Sequence, residues 1–156
     1  MSTAMHATRA GLGTRIADGA IAGVVGGIVF GILMAVMGML PMVGMLIGVD
    51  HAVVGFGVHL VNSAIIGAIF GVLAWRLARR IGPILGAGIV YGVVWWVLGA
   101  LLIMPLWLSV TADPMMKDMV FQVGRDQWLS LLGHLGYGLV AAAVLFGLRR
   151  ARATAG

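Results

Sequence analysis

Four apolar runs, each longer than twenty residues and each bounded by arginines or a proline, constrain this chain more than any other feature. The first extends from Ile16 or Ala20 to Leu40 and stops at Pro41. The second runs from His51 to Trp75, before RLARR, the third from Pro83 to Met104, before Pro105, and the fourth from Trp128 to Leu148, before RRAR. At a rise of 1.5 Å per residue, a helix of about 20 residues crosses a hydrocarbon layer of roughly 30 Å. Lipid offers no partner to a backbone amide, so only helices and closed barrels span it, and these runs lack the two-residue alternation of barrel strands. The expected fold class is an all-α integral membrane protein with four transmembrane helices. Composition agrees: 10% of the residues are charged, against about 25% in soluble domains, and 62% are hydrophobic.

The net charge of +5 does not indicate nucleic acid, because the arginines border the apolar runs. Arg9 and Arg15 precede the first run, Arg76, Arg79 and Arg80 separate the second from the third, and Arg149, Arg150 and Arg152 follow the fourth. With Asp18 this side sums to +7, while Asp50, Asp113, Lys117, Asp118, Arg125 and Asp126 on the other side sum to −2. The positive-inside rule then predicts a multi-pass protein of a bacterial-type inner membrane with both termini in the cytoplasm. The expected organisation is a flexible tail over 1–15, a first hairpin over 16–76, a basic loop at 77–82, a second hairpin over 83–148 with an external loop at 105–127, and a basic tail at 149–156. The first run is too long for the core of a cleavable signal peptide.

An internal repeat is visible. GIVFG at residues 27–31 recurs as GIVYG at 88–92, a displacement of 61, and Gly38 and Gly99 follow at the same interval. HLVNSAIIGAIFG begins at His59 and HLGYGLVAAAVLFG at His134, a displacement of 75 that the longer second external loop accommodates. The pattern predicts two hairpin repeats of parallel topology, related by an axis along the membrane normal. Glycines four apart, as at Gly23, Gly27 and Gly31, at Gly67 and Gly71, and at Gly88 and Gly92, predict close helix packing, since small residues let membrane helices approach. Trp75, Trp107 and Trp128 fall where interfacial anchors are expected.

His59 and His134 become counterparts, roughly 12 Å and 9 Å along their helices from the external side. Several kinds of chemistry fit them. They could bond to carbonyls or to a polar network of Asn62, Ser63 and Tyr137 that locks the bundle. They could be the axial ligands of a b-type haem in a small electron carrier, which needs no cysteine. They could belong to an outer-side site for copper(I), a small molecule or a quinone-like ligand, because methionines gather in that half; Met34, Met37, Met42 and Met45 with His51 are the candidate metal ligands, thioether and imidazole both suiting copper(I). Buried histidine is also a candidate for transport or proton transfer.

Hydrolytic or nucleotide catalysis has little support in the sequence. There is no phosphate loop, no HExxH, no pair of carboxylates within a run, and no serine set with a base and an acid. The external segment is expected to form a turn and an interfacial helix over MMKDMVF. The sequence therefore predicts a non-catalytic accessory or assembly subunit of a membrane complex, or a self-associating bundle. Its expected partners are the lipid bilayer and other membrane subunits or further copies of itself, with haem and copper as the cofactor alternatives.

Overall fold

The computed structural model describes residues 11–155, so most of the tail expected over 1–15 lies outside the described residues. Helix α1 spans Leu12–Val36, α2 Leu40–Gly44, α3 Ala52–Ala74, α4 Ile81–Trp95, α5 Met104–Thr111 and α6 Arg125–Thr154. A π-helical stretch, Trp96–Ile103, joins α4 to α5 without a break, so the third span covers Ile81–Thr111. Helices α1, α3, α4–α5 and α6 are each long and apolar enough to cross a bilayer. Their outward faces carry Val36, Val53, Leu73 and Val110, all strongly exposed in the isolated chain, as suits side chains solvated by lipid. The chain is a four-helix, multi-pass membrane protein.

The first span ends earlier than its hydropathy suggests. Gly38 adopts φ +69°, a conformation open to glycine without a Cβ penalty. Its N–H bonds to the Ala35 carbonyl and that of Met39 to the Met34 carbonyl, the paired bonds of a Schellman stop. Pro41 then sits in the first turn of the short α2, where its missing N–H is harmless. The third span runs longer than expected for a related reason. Pro105 cannot donate to the carbonyl of Leu101, four residues back, and that carbonyl instead accepts the N–H of Phe121 from the loop before α6 at 3.0 Å. The same loop contains a 3-10 helix, Pro114–Met119, where an interfacial helix was expected. Its proline start and the Asp113 cap fix a tight turn, the carboxylate accepting from the Met115 N–H at 2.9 Å.

Helix α1 lies between α3 and α6, and α6 lies between α1 and α4. Glycines set the closest approaches. A Cβ at Gly23 would strike the Ser63 carbonyl and the Gly67 backbone, one at Gly27 would strike the Ser63 side chain, and one at Gly31 would press on Phe56 and His59. Across α4 and α6, a Cβ at Gly88 would strike Gly138, and one at Gly92 would strike the His134 carbonyl. Helices α3 and α4, by contrast, scarcely touch.

The basic end is solidly filled by Ala22, Phe70, Ala74, Trp75, Ile84, Ala141, Ala142 and Leu145. Two arginines of α6 clamp it. Arg149 donates to the Trp75 carbonyl and lies over the Trp75 ring, 5.1 Å from its centroid. Arg152 binds Asp18, which is entirely buried. The opposite half of the bundle is hollow.

Candidate functional site

Because α3 and α4 do not close on each other, a cavity of about 510 Å³ remains in the seam between them. That volume is within the range of roughly 300–1,000 Å³ typical of small-molecule sites. The back wall is formed by Phe30 and Met34 of α1 and by Ser130, His134 and Tyr137 of α6. One side wall carries His59, Asn62 and Ile66 of α3, and the other carries Trp95 together with Gly99, Ala100 and Ile103 of the π-helical stretch.

Two cross-links define its ends. Toward the basic end, the Tyr91 hydroxyl of α4 donates to the Ile66 carbonyl of α3 at 2.6 Å, and its ring leans on Phe70 with centroids 4.9 Å apart. Toward the loop end, the Trp107 indole donates to the Leu46 carbonyl at 2.8 Å, tying α5 to the 3-10 turn Met45–Ile47 that follows α2. A second indole, that of Trp96, donates to the Gln127 carbonyl at 2.9 Å and stacks on Trp128, fixing the π-helical stretch to the start of α6.

Both histidines line this one cavity. His59 is buried, and its Nε2 lies 2.9 Å from the Gly27 carbonyl. A carbonyl only accepts, so Nε2 carries the proton and Nδ1 the lone pair. His134 is half-buried, with Nδ1 2.8 Å from the Ser130 carbonyl, which fixes the opposite tautomer. Its Nε2 is left as a bare acceptor with no protein partner among the described residues. The Phe30 ring meets both imidazoles edge-on, with centroids 5.3 Å from His59 and 4.8 Å from His134. It occupies a recess that Gly133 creates, since a Cβ there would collide with the ring.

The expected polar network forms only in part. The Tyr137 hydroxyl donates to the backbone carbonyl of Ser63 at 2.8 Å, joining α6 to α3, but neither group bonds to His59. Asn62 faces the cavity, and its amide has no hydrogen bond among the described residues.

The candidate metal ligands are separated. Met34 and Met37 line the cavity together with Met39, while Met42 and Met45 lie beyond the Gly38 break and are not part of its wall. His51 caps α3, its Nδ1 accepting from the Val53 N–H at 3.2 Å. Among the described residues no three His, Asp, Glu or Cys side chains converge as a metal site. Nor is a haem site evident. A macrocycle held by both imidazoles needs ligating nitrogens about 4 Å apart across the iron, judged from metal–nitrogen bonds of about 2 Å. Here His59 Nε2 is engaged by Gly27, and Phe30 fills the space against both rings.

Sequence reading overlooked Phe30, Tyr91 and the π-helical wall. A signal for the first two was present in GIVFG and GIVYG, whose aromatic residues hold the same place in the two strings. No protein family, curated protein or solved structure matches this chain.

Proposed function

We propose that the protein is a non-catalytic, ligand-holding bundle of a bacterial-type inner membrane, and that it accommodates a neutral, lipid-soluble small molecule in the seam between α3 and α4. The carrying observation is the one cavity onto which His59, Asn62 and His134 all open, with Ser63, Ser130 and Tyr137, amid a mostly apolar lining. Among the described residues no charged side chain lines it, so an ionic ligand would lose its hydration without compensation. The front opens along the seam, which suits entry from the hydrocarbon layer over entry from water.

The reading includes the two-hairpin repeat of parallel topology with both termini cytoplasmic. Support comes from the register of close approaches: Gly27 with Ser63 and Gly31 with His59 in one hairpin, Gly88 with Gly138 and Gly92 with His134 in the other. These pairs differ by the same 61 and 75 positions that relate the sequence motifs. On this reading the α1–α6 interface has its counterpart at α3–α4, and the ligand occupies the interface that protein leaves unfilled.

A role as a subunit of a larger assembly is the second reading. It is favoured by Gly82 and Gly86, spaced four apart on α4, where an added Cβ would meet nothing within the chain. Such a smooth face suits close approach by another membrane helix or a second copy. The cavity itself is a poor seat for a helix about 10 Å across, because the Tyr91 and Trp107 cross-links bridge it at both ends.

The test is organic extraction of the protein purified in mild detergent, followed by mass spectrometry. A neutral lipid-soluble compound should be recovered at near-stoichiometric amount and lost from the Ala100→Phe variant, whose ring fills the cavity. Recovery of the same compound from both proteins would refute the cavity as its site.

A further inference from the structure

The ligand class can be narrowed from the hydrogen-bonding state of the wall, an inference that rests on the cavity being the binding site. Among the described residues the cavity lining leaves four polar groups without a protein partner: Nδ1 of His59, Nε2 of His134, the Ser63 hydroxyl and the Asn62 amide. His134 donates through Nδ1 to the Ser130 carbonyl, so its Nε2 is an acceptor and calls for a donor on the ligand. Asn62 carries an amide with two donors and one acceptor, none of them bonded among the described residues. A polar group left unpaired in apolar surroundings is unfavourable. An acyl chain would leave all of these groups in that state.

A ring bearing hydroxyl groups satisfies two of them, His134 and Asn62. One O–H donates to His134 Nε2, and a ring oxygen accepts from the Asn62 amide. The Trp95 side wall offers an aromatic surface against which such a ring can lie. Gly99 and Ala100, the small residues of the π-helical stretch, leave the width that a flat ring needs. Any apolar tail leaves through the seam between α3 and α4 into lipid.

We infer that the cavity binds a lipid-soluble hydroxy-aromatic compound of the hydroquinone type, in preference to the corresponding quinone. The preference follows from His134: a quinone carbonyl presents a second acceptor to an acceptor nitrogen. A hydroquinone presents the matching donor. Binding alone is inferred, with no transfer of electrons.

The experiment uses the full chain in lipid nanodiscs under anaerobic, reducing conditions, with a decyl-substituted benzohydroquinone as the probe and intrinsic tryptophan fluorescence as the readout. Trp95 and Trp107 line the cavity and report its occupancy. The parallel arms are the matching decyl-benzoquinone without reductant and decyl alcohol, which carries the tail and one hydroxyl without the ring. Saturable quenching by the hydroquinone is expected, about tenfold tighter than by the quinone, as the loss of one buried hydrogen bond implies. Asn62→Leu and His134→Phe should each weaken hydroquinone binding by about tenfold, and His134→Phe should also abolish the preference over the quinone.

Melting curves select which variant is interpreted, and Asn62, exposed on the cavity wall, can be replaced with least disturbance. Equal binding of quinone and hydroquinone, or equal competition by decyl alcohol, would overturn the inference. If the probe fails to bind while organic extraction still yields a compound lost from Ala100→Phe, the ligand class is wrong and the cavity reading stands. If both fail, the cavity is not a ligand site.

Discussion

Asp18 on α1 and Arg152 on α6 form a two-bond ion pair, with Nε and Nη2 of the guanidinium 2.7 and 2.6 Å from the two carboxylate oxygens. The pair is lopsided: the arginine side chain is 53% exposed, whereas the aspartate is fully buried. Removing Arg152 therefore leaves a buried charge uncompensated, while removing Asp18 releases a cation that water already reaches. Arg152→Ala should lower the thermal unfolding midpoint in detergent more than Asp18→Asn does. The double variant should melt above Arg152→Ala alone. Equal effects of the two single variants would contradict the asymmetry.

The glycines are not equivalent. A methyl group at Gly67 would run into the backbone of Gly19 and Gly23, whereas one at Gly57 meets nothing within 4 Å. Gly67→Ala should force α1 and α3 apart and reduce stability by about 1–3 kcal/mol, the usual range for overpacking. Gly57→Ala should be neutral or slightly stabilising. Denaturation in mixed micelles compares them directly.

Tyr91 and Tyr137 each donate one interhelical hydrogen bond, to the carbonyls of Ile66 and Ser63. Replacing either with phenylalanine should cost about 0.6 kcal/mol, the average for such bonds within membranes, and at most about 1.7 kcal/mol. Their dynamic consequences should differ. Tyr91 bridges α3 and α4, which have little other contact, so Tyr91→Phe should increase spin-label mobility at the seam. Tyr137→Phe, in a well-packed interface, should leave the seam labels unchanged.

The orientation inferred from the arginines is open to a labelling test, because the chain has no cysteine of its own. Val49→Cys should react in intact cells with a maleimide that cannot cross the inner membrane. Arg80→Cys should react only after the membrane is opened. The reverse pattern would invert the topology.

Much of the architecture was legible because lipid imposes one dominant rule. Any segment that crosses it must satisfy its backbone internally, so long apolar runs become helices. Helix ends were less legible. Gly38 stops α1 before Pro41 through a left-handed φ, and Pro105 lets helical structure continue because the Phe121 N–H takes up a carbonyl the proline cannot serve. Asp18, which looks in sequence like one term in a charge sum, is a fully buried anchor. Its partner lies 134 residues away, beyond the reach of any local pattern.

The sequence by itself determined that four helices are long and apolar enough to span a membrane and that positive charge gathers at their borders, and it paired His59 with His134 as an expectation. Only the tertiary structure decided that both histidines share one cavity, that Phe30 touches both, and that α3 and α4 stay apart. The physical reason is that lipid solvates every apolar face of a helix about equally well. Hydropathy therefore says which segments enter the membrane but not which faces meet there; close packing and a few hydrogen bonds make that choice.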